Sequence, residues 1–214
     1  MKKLFLSVSI LSIALSVMSQ SQEFTSAMSE GLTQFAKCQT VDQYQAVGNK
    51  FSVIADAEKT EWLPYYYHAD CYILMSFMEQ ADAAKKDAYL DVAEKSVKRM
   101  IELVPGESEV YVLQGMMCSA RIMVDPMARG QEYSALSMKA IGKALGLDSN
   151  NPRAKFMKLR NEMGMAQFYG QSPSDFCPQA KDLLATWDNY QVKSPLHPNW
   201  GKNQVETIVA GCKN

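Results

Sequence analysis

The chain has 214 residues, 22 basic against 23 acidic side chains, and 47% hydrophobic residues. A net charge of −1 supplies no basic footprint for a nucleic acid. The length suffices for one domain with a sizeable core.

The opening residues, "MKKLFLSVSILSIALSVMSQSQ", read as a secretory signal. Lys2 and Lys3 form a basic start and Leu4 to Val17 an apolar stretch. Val17 with Ser19, or Ser19 with Ser21, offer cleavage positions. The apolar run is short of the ~20 residues that a spanning helix needs, and no later run reaches that length. Residues 1–21 are therefore expected to leave on export, with 22–214 as one mature domain without a transmembrane segment. Loss of Lys2 and Lys3 leaves 20 basic against 23 acidic residues, a charge of about −3. All five cysteines follow the signal, and an oxidising compartment permits disulfides. Their odd number and wide spacing do not suit a small disulfide scaffold, and no C-x-x-C pair is present for zinc or redox work. Cys177 and Cys212, near the ends of the last helical hairpin, are the expected pair. Cys71 and Cys118 read as core thiols.

Helical periodicity runs through the rest. Thr40 opens a helix with Gln43 three residues on, a capping-box spacing. "EWLPYYYHADCYILMSF" (Glu61 to Phe77) follows, with Glu61 and Pro64 suited to a first turn. Tyr89, Val92, Ala93, Val97, Met100 and Val104 share one face of the next helix, as do Tyr133, Leu136, Ala140, Ile141 and Ala144 further on. Turn formers cluster at "EKTE", "PGES", "DPMARG", "DSNNP", "YGQSPSD" and "KSPLHPNWG". The expectation is eight or nine helices without a strand.

The helices also repeat. Tyr65, Ala69 and Tyr72 align with Tyr111, Gly115 and Cys118: an aromatic, a small residue four later, a core residue three after that. The following helices carry small or apolar triplets at one spacing, Val47-Phe51-Ile54, Ala93-Val97-Met100 and Ser137-Ile141-Ala144, with Ala180-Leu184-Trp187 as a fainter fourth. The pattern resembles the tetratricopeptide repeat (TPR), in which small residues let paired helices approach and aromatics fill the gaps. The units recur at 46 and about 44 residues against ~34 for that repeat, close to armadillo and HEAT pairs. Longer helices or longer inner turns, around "MEQADAAKKD" and "VDPMARGQEY", would hold the excess. The resemblance implies a right-handed all-α solenoid of about four hairpins with a C-terminal capping helix. On "EWLPYYY", "VDPMARGQEYS" and "SPLHPNWG" the chain also resembles short exported TPR-containing proteins of Bacteroidetes-type bacteria. That implies a periplasmic location, with extracellular release as the alternative, and no particular activity.

Chemistry-bearing motifs are scarce. His68 and Cys71 lie three apart on one helix and define a cysteine-hydrolase reading, but they lack converging partners from other elements. Only two histidines exist, neither at metal-ligand spacing, and no phosphate loop, dinucleotide fingerprint, nucleophile elbow or H-E-x-x-H occurs. Of the fourteen methionines, Met75, Met78, Met100, Met116, Met117, Met123, Met157 and Met163 fall at core-like helix positions and read as adaptable filler. No cofactor or metal is expected. The favoured function is non-catalytic: a scaffold or adaptor that receives a peptide or protein partner of the cell envelope in a concave groove. Tyr66, Asp70, Met116, Arg121, Arg129 and Gln131 are its candidate groove residues. Asp125, Pro126 and Gly130 shape the polar "VDPMARGQEYS" turn, where an Asp125–Arg129 contact is the structural alternative to a ligand clamp. Trp200 is the candidate plug before the last helix. The runner-up is a small-molecule or saccharide binder with the tyrosine-rich face as stacking platform, for which a closed cavity beneath "DPMARG" would speak.

Overall fold

The computed structural model describes residues 22–212; the expected signal segment 1–21 lies outside the described residues. These are helical, without a strand. A first helix, α1, occupies residues 22–35. It is followed by α2 (Val41–Ala57), α3 (Leu63–Met78), α4 (Ala83–Leu103), α5 (Ser108–Ile122), α6 (Pro126–Leu147), α7 (Pro152–Phe168), α8 (Cys177–Thr186) and α9 (Lys202–Gly211).

Each start has a local cause. Thr40 Oγ1 accepts from Gln43 N while Gln43 Oε1 accepts from the Thr40 amide, closing the capping box of α2. Asp82, Asp125 and Asn151 cap α4, α6 and α7, and Pro126 and Pro152 fill first-turn positions that need no amide proton. The "DPMARG" segment is thus not an enlarged turn. Asp125 is the cap and Pro126 begins a helix of 22 residues. Gly130 lies inside it, with open space where its Cβ would be and no positive φ. Only four residues part α3 from α4, so longer helices carry the excess of the repeat.

Hydrogen bonds fix the helix directions. Ser108, at the start of α5, bonds Ala144 O near the end of α6, and Ser119 meets Ser137 further along, so α5 and α6 are antiparallel. Glu109–Arg153 joins start to start and Ser119–Asn161 lies further along both helices, so α5 and α7 are parallel. His68–Ser96 sets α3 against α4 in the antiparallel sense. The odd helices α3, α5 and α7 therefore form one parallel row. Small residues set the spacing: a Cβ on Gly115 would fall 2.8 Å from Ile141 Cγ1 and one on Gly48 3.3 Å from Cys71 Cβ. The core between the rows holds Phe51, Tyr66, Ile73, Met75, Leu90, Met100, Leu113, Ile141, Phe156 and Met157. On α6 the buried stripe is Ser137, Ala140, Ile141 and Ala144. Leu136, expected in that stripe, points outward because the face turns on Ser137, whose hydroxyl donates to Gly115 O.

Candidate functional site

Four surfaces bear on function. The first is the edge formed by the N-terminal ends of α3, α5 and α7, and the chain covers it with its own residues 190–201. Trp200 Nε1 donates to the Tyr66 hydroxyl at 2.9 Å, Tyr67 Oη donates to Leu196 O at 2.8 Å, and His197 stands edge-on to Trp62. Lys193 pairs with Glu107 and Tyr190 Oη with Asp148. Beneath this strap lies a fully buried ion pair: Arg153 Nε and Nη2 donate to Glu109 Oε2 and Oε1 at 2.9 and 2.6 Å, and Asn151 Nδ2 adds a third bond. Burial holds the Glu109 carboxyl above its ordinary value despite Arg153. Tyr66, expected to face a groove, is completely buried under Trp200. An aromatic side chain at that point of α3 seals the seam instead of presenting itself.

Asp70 is likewise not on a groove. It is 3% exposed and makes no hydrogen bond among the described residues, and burial pushes its pKa up to about 7. Its charge is felt by Tyr44, Tyr67 and Cys71. Cys71 has no exposure, its thiol pKa is driven far up by burial, and His68 Nδ1 bonds Ser96 Oγ. The arrangement that a cysteine nucleophile requires is missing here. Among the described residues no group of His, Cys, Asp and Glu is placed to hold a metal ion.

The second surface lies beneath "DPMARG", where α4, the end of α5 and the start of α6 border an open polar cleft, not a closed cavity, of about 450 Å³ lined by Asp87, Asp91, Arg121, Arg129, Glu132 and Tyr133. It brings together two expected groove residues and fills them with partners. Arg129 Nη1 and Nη2 donate to Asp87 Oδ1 and Oδ2 at 2.6 and 2.7 Å, and Arg121 reaches Asp87, Asp91 and Glu94. Arg129 holds the Asp87 carboxyl below its ordinary value, with Arg121 assisting. The expected Asp125–Arg129 contact gives way to Asp87, since Asp125 is spent on capping Ala128 N. Gln131 is exposed on α6, while Met116 is buried on α5.

The third surface is an apolar cleft of about 490 Å³ between the end of α6, the outer face of α7 and α8. Leu145, Leu159 and Leu183 form its floor, and Lys155, Lys158, Glu162, Gln179 and Asp182 its rim. The volume falls in the ~300–1,000 Å³ range of small-molecule sites. Lys158 is shared with Glu162 at 3.4 Å, whereas Lys155 has no ion-pair partner among the described residues. The sequence does carry a signal for this wall. Lys155, Leu159 and Glu162 recur at steps of four and three, placing two charges and a leucine on one face of α7. The signal is masked because this helix buries residues on most sides of its first turns. The fourth surface is the opposite end of the stack, where Met127, Phe168 and Tyr169 are 85%, 71% and 77% exposed.

The C-terminal part is tied by a disulfide between Cys177 and Cys212, with Cα atoms 5.8 Å apart, while Cys38, Cys71 and Cys118 are free. No helix among the described residues is long and apolar enough to cross a membrane.

Fold and clefts define an all-helical chain of stacked helices with an open, small-molecule-sized apolar cleft on its outer side. A solved structure of similar design is the HusA haemophore from Porphyromonas gingivalis: TM-score 0.76, 26% sequence identity, covering 89% of this chain and 92% of that one. No protein-family model and no curated protein matches the sequence.

Proposed function

We propose that this chain is a non-catalytic, exported binding protein whose cargo is a flat, largely apolar molecule with carboxylate substituents, of the porphyrin class, held in the cleft between α6, α7 and α8. The observation that carries the reading is the likeness to a haemophore over 89% of the chain. The cleft gives the cargo a place: a ring lies on Leu145, Leu159 and Leu183, and an acidic substituent meets Lys155. A charge-assisted contact at the rim orients the ligand, while burial of the ring supplies most of the affinity.

The test is titration of the mature chain with haemin and with metal-free protoporphyrin, followed by absorbance. Saturable binding that falls roughly tenfold or more in Ser149→Trp, which fills the mouth, and several-fold in Lys155→Glu is the expected result. Undiminished binding in both variants moves the site elsewhere. No binding by the unaltered chain ends the porphyrin reading.

A second reading keeps a TPR-like, right-handed solenoid as scaffold for a peptide or protein partner in the periplasm or outside the cell. The parallel row of α3, α5 and α7 favours it, as does the strap, a proline-containing segment already seated across their ends. In this reading Arg129 and Gln131 contact the partner beside the exposed Met127, while Arg121, buried and held by Asp87 and Asp91, stays behind them. Crosslinking in the native host, followed by loss of the captured partner with Gln131→Ala and Met127→Ala, is its signature.

A further inference from the structure

We infer that the apolar cleft reaches its full affinity only in the oxidised chain, because its α8 wall is splinted end to end by a helix that the Cys177–Cys212 disulfide locks in place. The inference rests on the proposal that this cleft holds the cargo.

α8 contributes Gln179, Asp182, Leu183 and Thr186 to the cleft, yet it buries only Ala180 and Leu183 of its own. Those two, with Leu184 partly buried against the core, are a small anchor for a ten-residue helix. Its ends are held from outside. At the N-terminal end, Cys177 is bonded to Cys212, just past the last turn of α9. At the C-terminal end, Trp187 is buried against Gly201, where an added Cβ would come within 2.7 Å of the indole, and Asp188 receives Lys202 at 2.5 Å. Gly201 has φ 110°, a left-handed conformation that glycine adopts without strain. α9 therefore lies antiparallel along α8, fastened at both ends, with Val205 buried between. The start of α9 is in turn anchored to the stack through Trp200, which contacts Phe156 of α7 and Tyr66 of α3.

Cutting the disulfide frees the end of α8 that bears Gln179 and Asp182 and leaves only the Trp187 end fastened. The wall must then be ordered whenever cargo binds, and that ordering is subtracted from affinity. The chemistry is a pair of thiol–disulfide exchanges with a dithiol. The first thiolate attacks one sulfur, breaking the S–S bond, expelling the other cysteine as a thiolate and leaving a mixed disulfide. The second thiol of the reagent then displaces the cysteine held in that mixed disulfide, leaving two protein thiols and the oxidised reagent. Both cysteines are partly exposed and open to such attack. A newly made, reduced chain thus lacks the completed cleft and gains it when the disulfide forms in an oxidising compartment.

The experiment compares three forms of the mature chain: oxidised, dithiothreitol-reduced, and Cys177→Ser/Cys212→Ser. Each is titrated with haemin and with metal-free protoporphyrin, which has no iron for the thiol to reduce, and amide exchange is measured along the chain. Expected are a roughly tenfold or larger loss of affinity in both disulfide-free forms and faster exchange in 177–186, with α5 and α6 unchanged. Undiminished affinity in those forms, when the oxidised chain binds, overturns the inference. If the oxidised chain binds neither probe, the porphyrin reading falls on its own account and exchange alone judges the splint: acceleration confined to 177–212 supports it, and unchanged α8 amides sink it.

Discussion

From α2 to α7 the helices run 15 to 22 residues and bury apolar or small side chains at helical spacing. From Cys177 onward two helices of 10 residues bury Ala180, Leu183 and Val205, and the connection between them contains a short 3₁₀ turn and prolines. The first region is held by packing, the second by fasteners: a disulfide, a tryptophan under a glycine, an ion pair. The contrast follows from size, since short helices cannot bury enough surface to offset the entropy of ordering them. Closing a loop of 35 residues removes about 4 kcal/mol of unfolded-state freedom in the chain-entropy account. It also places adjustable parts beside the proposed site and rigid parts behind it.

The largest effect is expected where the two regions meet. Glu109→Ala leaves the Arg153 guanidinium buried without its carboxylate, and the whole molecule should lose about 3–5 kcal/mol in a urea titration. Replacing both partners, Glu109→Leu with Arg153→Met, should recover most of that loss, because the penalty lies in the stranded charge. A single variant within 1 kcal/mol of the parent, roughly, would remove the pair from the account of the seam.

Trp200→Ala should cost about 2–4 kcal/mol, somewhat under the usual scale for large-to-small changes because the indole is only partly buried, but the loss should be confined. It deletes the bond to Tyr66 and the contact with Phe156, so amide protection should fall across 177–212 and hold in α2–α6. Uniform loss along the chain would mean that the fasteners belong to the core and that the two-region comparison is mistaken.

Much of the first region was readable. Alternation was absent and apolar residues recurred at three and four, so helices followed. Gly115 and Ala69 marked where helices approach, and Thr40 with Gln43 marked a start. What could not be read was which way each face points once the helices assemble. Tyr66 and Asp70 share a face by spacing, yet both lie inside, and what covers Tyr66 is a strap that arrives from residues 190–201, over 120 positions away. The partners of Arg121 and Arg129 were out of sight because Asp87 and Asp91 stand on a different helix, 30 to 42 residues earlier, and the acidic residue in local reach of Arg129, Asp125, caps α6 instead. Local sequence carries helix phase; partners brought by tertiary packing are invisible to it. Lys155 and Leu159 shared a visible face, but the cleft exists only when α8 stands opposite.

Asp70 gives a prediction with a sign. Its folded pKa is raised to about 7 from 3.8, so between those values the folded chain holds a proton that the unfolded chain has released. The contribution is fully present below the unfolded value and is lost as pH rises through about 7, at up to ~1.4 kcal/mol per pH unit. Asp70→Asn cannot titrate, so the unfolding midpoint of the parent should fall relative to the variant between pH 4 and 7. Parallel curves would show that the carboxyl finds a partner in solution, and this part of the stack would rest on polar contacts as well as packing.

The smallest effect separates architecture from recognition at the polar cleft. Arg129 is half-buried and donates both guanidinium arms to Asp87, but Asp87 keeps Arg121 when Arg129 is gone. Loss of a partly solvated pair with a second cation in reserve should cost about 1 kcal/mol or less in Arg129→Ala. The Asp87 carboxyl, held low chiefly by Arg129, should return toward its ordinary value. Stability gained from that depression is present above the unfolded pKa and lost as pH falls through the folded one, so the variant should differ from the parent near neutrality and converge with it in acid. A double-mutant cycle with Asp87→Ala measures the pair directly. Coupling near 1 kcal/mol, roughly, together with undiminished porphyrin affinity, assigns Arg129 to holding α6 on α4. Negligible coupling together with lost capture of a protein partner assigns it to recognition, because a guanidinium that contributes nothing to the fold is free to be spent on a ligand.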